Sequence, residues 1–189
     1  MSKDFLWVEK YRPSIVEDCI LPDSIKSVFQ GFVEQREIPN LLLSGSAGVG
    51  KTTIAKALCD EIGASYILIN GSDEGRFLDT ARTKIRQFAT TVSLTSGTSH
   101  KVVIIDEADN TTNDVQLCLR SAIEEYHNNC RFVLTCNFVN KIIEPLHSRC
   151  TVIDFRVKNG QSVALQGQFF ERLRGILKKE DVKFEDKVL

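Results

Sequence analysis

The sequence lacks any apolar run near the roughly 20 residues that cross a bilayer as a helix. Its opening, MSKDFLWVEKYRP, is charged and has no apolar signal-peptide segment. These absences set the expectation of an intracellular, cytoplasmic protein with no membrane partner. The six cysteines include no C-x-x-C pair, and the three histidines do not fall at zinc spacing around them. That argues against a structural metal and for reduced thiols, several of them small buried apolar residues, as in FVLTCN. Net charge is also nearly absent, at −1. No global field therefore draws the chain to nucleic acid, and any such binding needs a local patch. No internal repeat is present. What remains is 189 residues, 42% of them hydrophobic, which is enough for one good core and part of a second domain.

Hydrophobic periodicity divides this material into alternating elements. Residues 1–20 read as an irregular or short helical arm broken at Pro13. The stretch 22–37 carries apolar residues at 25, 28, 29, 32 and 33, a helical stripe opened by Asp23 or Ser24. NLLLSG is a short buried strand, and Lys51–Ile62 is a helix stopped by Gly63. SYILIN (65–70) is a strand. The spacing of apolar residues at 78, 81, 85, 88 and 92 predicts a helix over 76–92, followed by a polar loop, SLTSGTSHK. KVVIID (101–106) is apolar on both faces, which suits a central strand of a parallel sheet. Residues 111–126 form a helix, with Thr111 and Asp114 resembling a capping box. RFVLTCN (131–137) and CTVIDF (150–155) are two more strands. Strand–helix alternation of this kind predicts a three-layer α/β domain on a parallel five-stranded sheet. The composition shifts at RVKNGQS (156–162), and VALQGQFFERLRGILKKE then reads as one amphipathic helix. The expected division is 1–156 for the α/β domain and 157–189 for a linker and the start of a second.

Gly45-Ser46-Ala47-Gly48-Val49-Gly50-Lys51-Thr52 matches G-x-x-x-x-G-K-[ST] in full, between a strand and a helix. The glycines let successive N–H groups turn toward one anion, and the helix adds its positive end. Lys51 is placed to reach the β- and γ-phosphates of ATP, or the β-phosphate of ADP, and the Thr52 hydroxyl to ligate Mg²⁺. In VVIIDEAD, a buried strand ends in Asp106 and Glu107 at the carboxyl edge where parallel sheets bind ligands. Asp106 suits the Mg²⁺ water shell, and Glu107 suits polarising an attacking water. Asn137 ends the next strand, where an amide either terminates the strand or orients that water. Arg149, in LHSRC, is either a surface residue or an arginine finger offered to a neighbouring subunit.

These motifs occur together, in order, in one family. The chain resembles the AAA+ P-loop ATPases and, within them, the clamp-loader subunits, both replication factor C small subunits and, in closer wording, the large subunit of T-even-type phage loaders. VEKYRP, SGSAGVGKTT, INGSDEG, IIDEAD, TCN and HSRC carry the resemblance over about residues 5–155. It implies that the arm residues Val8, Glu9, Lys10, Tyr11, Arg12 and Pro13, with Ile20, pack around adenine. Thr53 and Ser46–Thr52 would cradle the phosphates. Asn137 would be the first sensor, and Arg149 the finger acting in trans. Arg120 would link DNA contact to Glu107. The resemblance also implies that Arg82 and Arg86, one turn apart, face primer-template DNA. The sequence alone favours a solvated helix face there, and the resemblance reverses that reading.

Family members continue into a helical lid and a collar that assembles a pentamer. Here only the first lid helix is legible, and no second-sensor arginine can be named. The expectation is a fragment, mainly monomeric and slow in ATP turnover. The reaction implied is that of a sliding-clamp loader, with the other loader subunits, the clamp and primer-template DNA as partners. Two rival readings are another AAA+ DNA motor of helicase type, and a nucleotide-bound scaffold subunit that does not hydrolyse. Glu107 and the intact phosphate loop speak against the scaffold.

Overall fold

A computed structural model describes residues 6–72, 77–91, 101–157 and 160–184, those at 77–81 without their side chains. In chain order the elements are α1 (Trp7–Lys10), α2 (Asp23–Gln35), β1 (Leu41–Ser44), α3 (Lys51–Ile62) and β2 (Ser65–Asn70). They continue with α4 (Phe77–Thr90), β3 (Lys101–Asp106), α5 (Asn113–Glu125), β4 (Cys130–Cys136), α6 (Glu144–His147), β5 (Thr151–Asp154) and α7 (Gln161–Lys179). Short 3₁₀ turns follow β3 at Ala108–Asn110 and β4 at Val139–Lys141.

The five strands form one sheet in the order β2-β3-β4-β1-β5, and every pairing is parallel. The side-chain alternation of a strand sorts the core into two layers. Leu41, Leu43, Val102, Ile104 and Val133 face α2 and α3, packing on Phe29, Ile54 and Leu58. Leu42, Val103, Ile105, Phe132 and Leu134 face the other way, onto Ile85 of α4, Leu119 and Ile123 of α5, and Leu146 of α6. Both sheet faces are covered, which is why these strands read as continuous apolar runs. The expected three-layer parallel architecture is the one observed.

Local details correct the sequence reading. The α2 N-cap is Pro22 rather than Asp23 or Ser24, and no side chain caps it. Val28 of the expected stripe is exposed, while Ile25 and Phe29 carry the burial. The α5 cap is Thr112, whose hydroxyl accepts from the Val115 N–H at 3.5 Å, so the Thr111–Asp114 pairing was one residue early. Thr111 instead donates its hydroxyl to the Ala108 carbonyl at 2.6 Å, closing the turn after β3. The stripe positions 78, 81 and 92, the loop 93–100 and residues 73–75 of INGSDEG lie outside the described side chains. Among the described residues no helix is long and apolar enough to cross a membrane.

All six cysteines are free, four of them buried. Burial pushes the Cys59 and Cys150 thiols up to about 12 and those of Cys19, Cys130 and Cys136 to about 11. These five are protonated and inert at neutral pH, as the reading of small apolar residues requires.

Candidate functional site

Strand order decides where the chemistry gathers. From β1 the chain runs to β2, β3 and β4 on one side, then places β5 on the other. In such sheets the ligand crevice opens at the carboxyl ends, where the order reverses. Ser44 pairs with Cys136 and Ile105 with Leu134, so the phosphate loop, the Asp106–Glu107 corner and Asn137 emerge side by side.

The loop's geometry follows from its glycines. Gly48 and Gly50 have φ of 78° and 89°, a conformation that strains residues with a Cβ. Gly50 delivers the chain directly into α3, whose first N–H groups then face the crevice. Ser46, Ala47 and Gly48 form the exposed crest. Lys51 is 8% exposed, and its ammonium donates to the Gly45 and Ser46 carbonyls, both at 2.8 Å, and to Asn137 Oδ1 at 2.9 Å. Burial lowers the Lys51 pKa, opposed by nearby Cys136, Asp106, Asp109 and Glu107. The residue is thus a partly desolvated cation held beside three acceptors, suited to a more strongly charged partner.

Asp106 Oδ1 accepts from the Thr52 and Thr135 hydroxyls, each at 2.6 Å. A hydroxyl and a carboxylate so close offer Mg²⁺ two hard oxygen donors, with the remainder left to phosphate and water. Among the described residues no group of three or more His, Cys, Asp or Glu side chains could hold a metal by itself.

Glu107 has φ of 54°, a left-handed conformation unusual for a non-glycine residue. Its N–H donates to Thr135 Oγ1 at 3.0 Å, while its carboxylate accepts from Ser72 Oγ and from Asn110 Nδ2 at 3.1 Å. Sequence reasoning missed Ser72, Asn110 and Thr135. It also missed Asp109, a buried residue whose Oδ2 accepts from the Asn137 and Phe138 N–H groups at 3.2 and 3.0 Å and thereby fixes the end of β4.

Gly71 makes this corner possible. A Cβ there would lie 2.5 Å from the Glu107 carbonyl oxygen and 2.9 Å from Thr111 Cγ2. Gly71→Ala is expected to destabilise the fold by about 1–3 kcal/mol and to displace Glu107 from Ser72. Urea unfolding and ATP turnover measure both effects. Unchanged values would mean that the corner tolerates a methyl group.

Beside the loop lies a cleft of about 390 Å³. Of the residues expected around adenine, Pro13 and Ile20 line it, beside Gly48, Val49, Gly50 and Thr53 of the expected phosphate cradle. Val8, Glu9, Lys10, Tyr11 and Arg12 do not. Val8 is exposed, Glu9 pairs with Arg12 at 2.8 Å, and Lys10 and Tyr11 both bond Glu180 beyond α7. The far wall was not anticipated; it comes from Phe155, Val157 and the α7 residues Leu165, Phe169 and Arg172.

The expected DNA-facing arginines lie on the opposite layer. Arg82 and Arg86 are exposed on α4 and border a cleft of about 470 Å³ against α5. Arg82 also contacts Cys118 Sγ at 2.9 Å. Arg120 is half-buried, and its Nε has no hydrogen-bond partner among the described residues. Arg149 is bound to Glu124 through Nε at 2.8 Å and to the Pro145 carbonyl through Nη1 at 2.8 Å. It precedes β5, whose first residue is level with Leu41, so it sits at the sheet edge opposite the phosphate loop.

Comparison with known proteins finds relatives over most of this chain. The chain is 41% identical over 186 residues to a replication factor C small subunit of Archaeoglobus fulgidus, covering 96% of this chain and 56% of that protein. It is 38% identical over 188 residues to the sliding-clamp-loader large subunit of Escherichia phage RB69, covering 98% and 58%. These values do not favour the phage wording over the cellular one. The chain thus spans a little over half the length of the curated relatives it matches. Among solved structures, the Thermotoga maritima RuvB Holliday junction branch migration motor superposes with a TM-score of 0.67 at 21% identity, over 93% of this chain and 56% of that one. At that identity the likeness concerns the fold alone. The model of the ATPase family associated with various cellular activities matches residues 41–158, which contain the phosphate loop, the Asp106–Glu107 corner, Asn137 and Arg149. The chain belongs to this AAA family of ATPases.

Proposed function

We propose that this chain is the ATP-hydrolysing part of a sliding-clamp-loader subunit. The observation that carries the reading is the convergence of Lys51, Thr52, Asp106, Glu107 and Asn137 at one crevice, in a chain whose curated relatives include clamp-loader subunits. In this reading Lys51 and the loop N–H groups bind the phosphates. Thr52 and Asp106 hold Mg²⁺, and the cleft between Ile20, Val49 and α7 takes the adenine. Bound Mg·ATP supplies the γ-phosphoryl group and a counter-charge for the leaving phosphates. Glu107 accepts a proton from the attacking water, which Asn137 helps to orient.

ATP binding then stabilises a spiral of subunits that opens the clamp and grips primer-template DNA through Arg82 and Arg86. Arg120 connects that contact to the catalytic corner. Nucleotide acts by binding one arrangement more tightly than the other. Each phosphate neutralised contributes a salt slope of only about −0.9, so the grip needs several subunits, five in a full loader. The isolated 189-residue chain is, in the same reading, a monomer with slow turnover.

ATP turnover by the assembled loader, with and without clamp and primed DNA, tests the proposal. Clamp and DNA together are expected to stimulate turnover, and Lys51→Ala to abolish it. Turnover indifferent to the clamp but coupled to movement along DNA would instead support a helicase-like motor, which the likeness to RuvB does not favour at 21% identity.

A further inference from the structure

The wall of the cleft supplied by α7 is held in an unusual way. No residue of α7 is fully buried, so apolar burial alone does not seat it. Polar contacts tie it to the N-terminal arm at two points. Arg172 donates through Nη1 to the Asp18 carbonyl at 2.7 Å and through Nη2 to the Tyr11 carbonyl at 2.8 Å. Just beyond the helix, Glu180 Oε1 accepts from Lys10 Nζ and from the Tyr11 hydroxyl, the latter at 2.5 Å. The two points are eight residues apart, roughly 12 Å along a helix. Leu165, Phe169 and Arg172 recur at i, i+4 and i+7. The helix face that ties to the arm is therefore also the face that walls the cleft.

We infer that Arg172 and Glu180 are positioning residues that clasp α7 to the arm and so set the width of the base-side half of the nucleotide site. The inference rests on the proposed nucleotide reading and adds a division of labour to it. Phosphate affinity comes from the loop around Lys51 and does not depend on the clasp. Affinity for the base does, because the base needs both walls of the cleft. Arg172 suits the task, since a planar guanidinium reaches two carbonyls at once and keeps its charge at any physiological pH. The Lys10 and Tyr11 contacts lower the Glu180 pKa, so its carboxylate stays charged and the second tie stays made.

Calorimetry on the 189-residue chain, with Mg·ATP and inorganic tripolyphosphate as probes, separates the two halves. Arg172→Ala is expected to weaken ATP about ten-fold, and Glu180→Ala about three-fold, the scale of one or two lost charge-assisted hydrogen bonds. Tripolyphosphate affinity should not move in either variant. Glu180 does not line the cleft, so an effect there has to be transmitted through α7 and the arm it ties. Combining Lys10→Glu with Glu180→Lys should restore ATP affinity lost in either single reversal. Wild-type ATP affinity in both alanine variants would overturn the clasp. Equal loss for ATP and tripolyphosphate would overturn it as well, because general loosening acts on both halves. Failure of the unaltered chain to bind either probe would instead remove the nucleotide reading on which the clasp depends.

Discussion

Glu107→Gln is expected to lower ATP turnover of the assembled loader roughly 10²–10⁴-fold while leaving Mg·ATP affinity near that of the unaltered protein. The two effects separate because the residues that bind and the residue that reacts are held differently. Thr52 and Thr135 bond Asp106, and Lys51 bonds the loop carbonyls and Asn137; none of these contacts includes the Glu107 carboxylate. The substitution keeps the shape of the side chain. A glutamine oxygen still accepts from Ser72 and Asn110, and the backbone N–H still reaches Thr135. The left-handed backbone at φ 54° is therefore retained, and only the basicity is lost. Single-turnover hydrolysis and nucleotide titration on the same protein check the split. A normal rate would show that another group takes the proton from water. Lost binding would show that Glu107 serves the fold of the corner.

Those contacts also show which parts of the site a sequence discloses. The phosphate loop and the Asp106–Glu107 corner were legible because each is a local pattern whose strand-loop context is itself local. SYILIN and KVVIID coincide with β2 and β3 because their apolar runs end abruptly at Asn70 and Asp106. Ser72, Asn110 and Thr135 were not legible as partners of Glu107. Ser72 follows β2 and Thr135 lies within β4, and only the sheet register brings Asn70 beside Asp106 and Ile105 beside Leu134; Asn110 is local, but it reaches Glu107 only through the tight turn after β3. The cleft shows the same limit. Pro13 and Ile20 were expected there, but Phe155 and Phe169 look like ordinary apolar residues of a strand end and a helix. The cap of α5 was off by one because Thr111 and Thr112 are chemically equivalent; the choice falls to the turn after β3, which claims the Thr111 hydroxyl.

Arg149 poses the question of reach, and its substitution is the second large effect expected. In an assembled loader, Arg149→Ala should reduce ATP turnover by about 10³–10⁵, the scale of a finger arginine that meets charge developing on the γ-phosphate. Yet Arg149 stands at the amino edge of the sheet, and its own phosphate loop at the carboxyl edge. Four residues of strand, on the order of 13 Å, lie between them. Within one chain the guanidinium instead binds Glu124, Pro145 and Ser148. A finger so placed can serve only a neighbour's nucleotide. Mixing decides the matter. Subunits carrying Arg149→Ala retain a sound phosphate loop, and subunits carrying Lys51→Ala retain a sound finger. Assembled together, they should form some complete sites and recover part of the turnover that each lacks alone. Nucleotide affinity of the isolated chain should be unchanged by Arg149→Ala, since no contact joins Arg149 to its own loop. Normal turnover in the homogeneous Arg149→Ala assembly would reduce the residue to a surface partner of Glu124. Loss without recovery on mixing would mean that Arg149 supports its own subunit rather than the next.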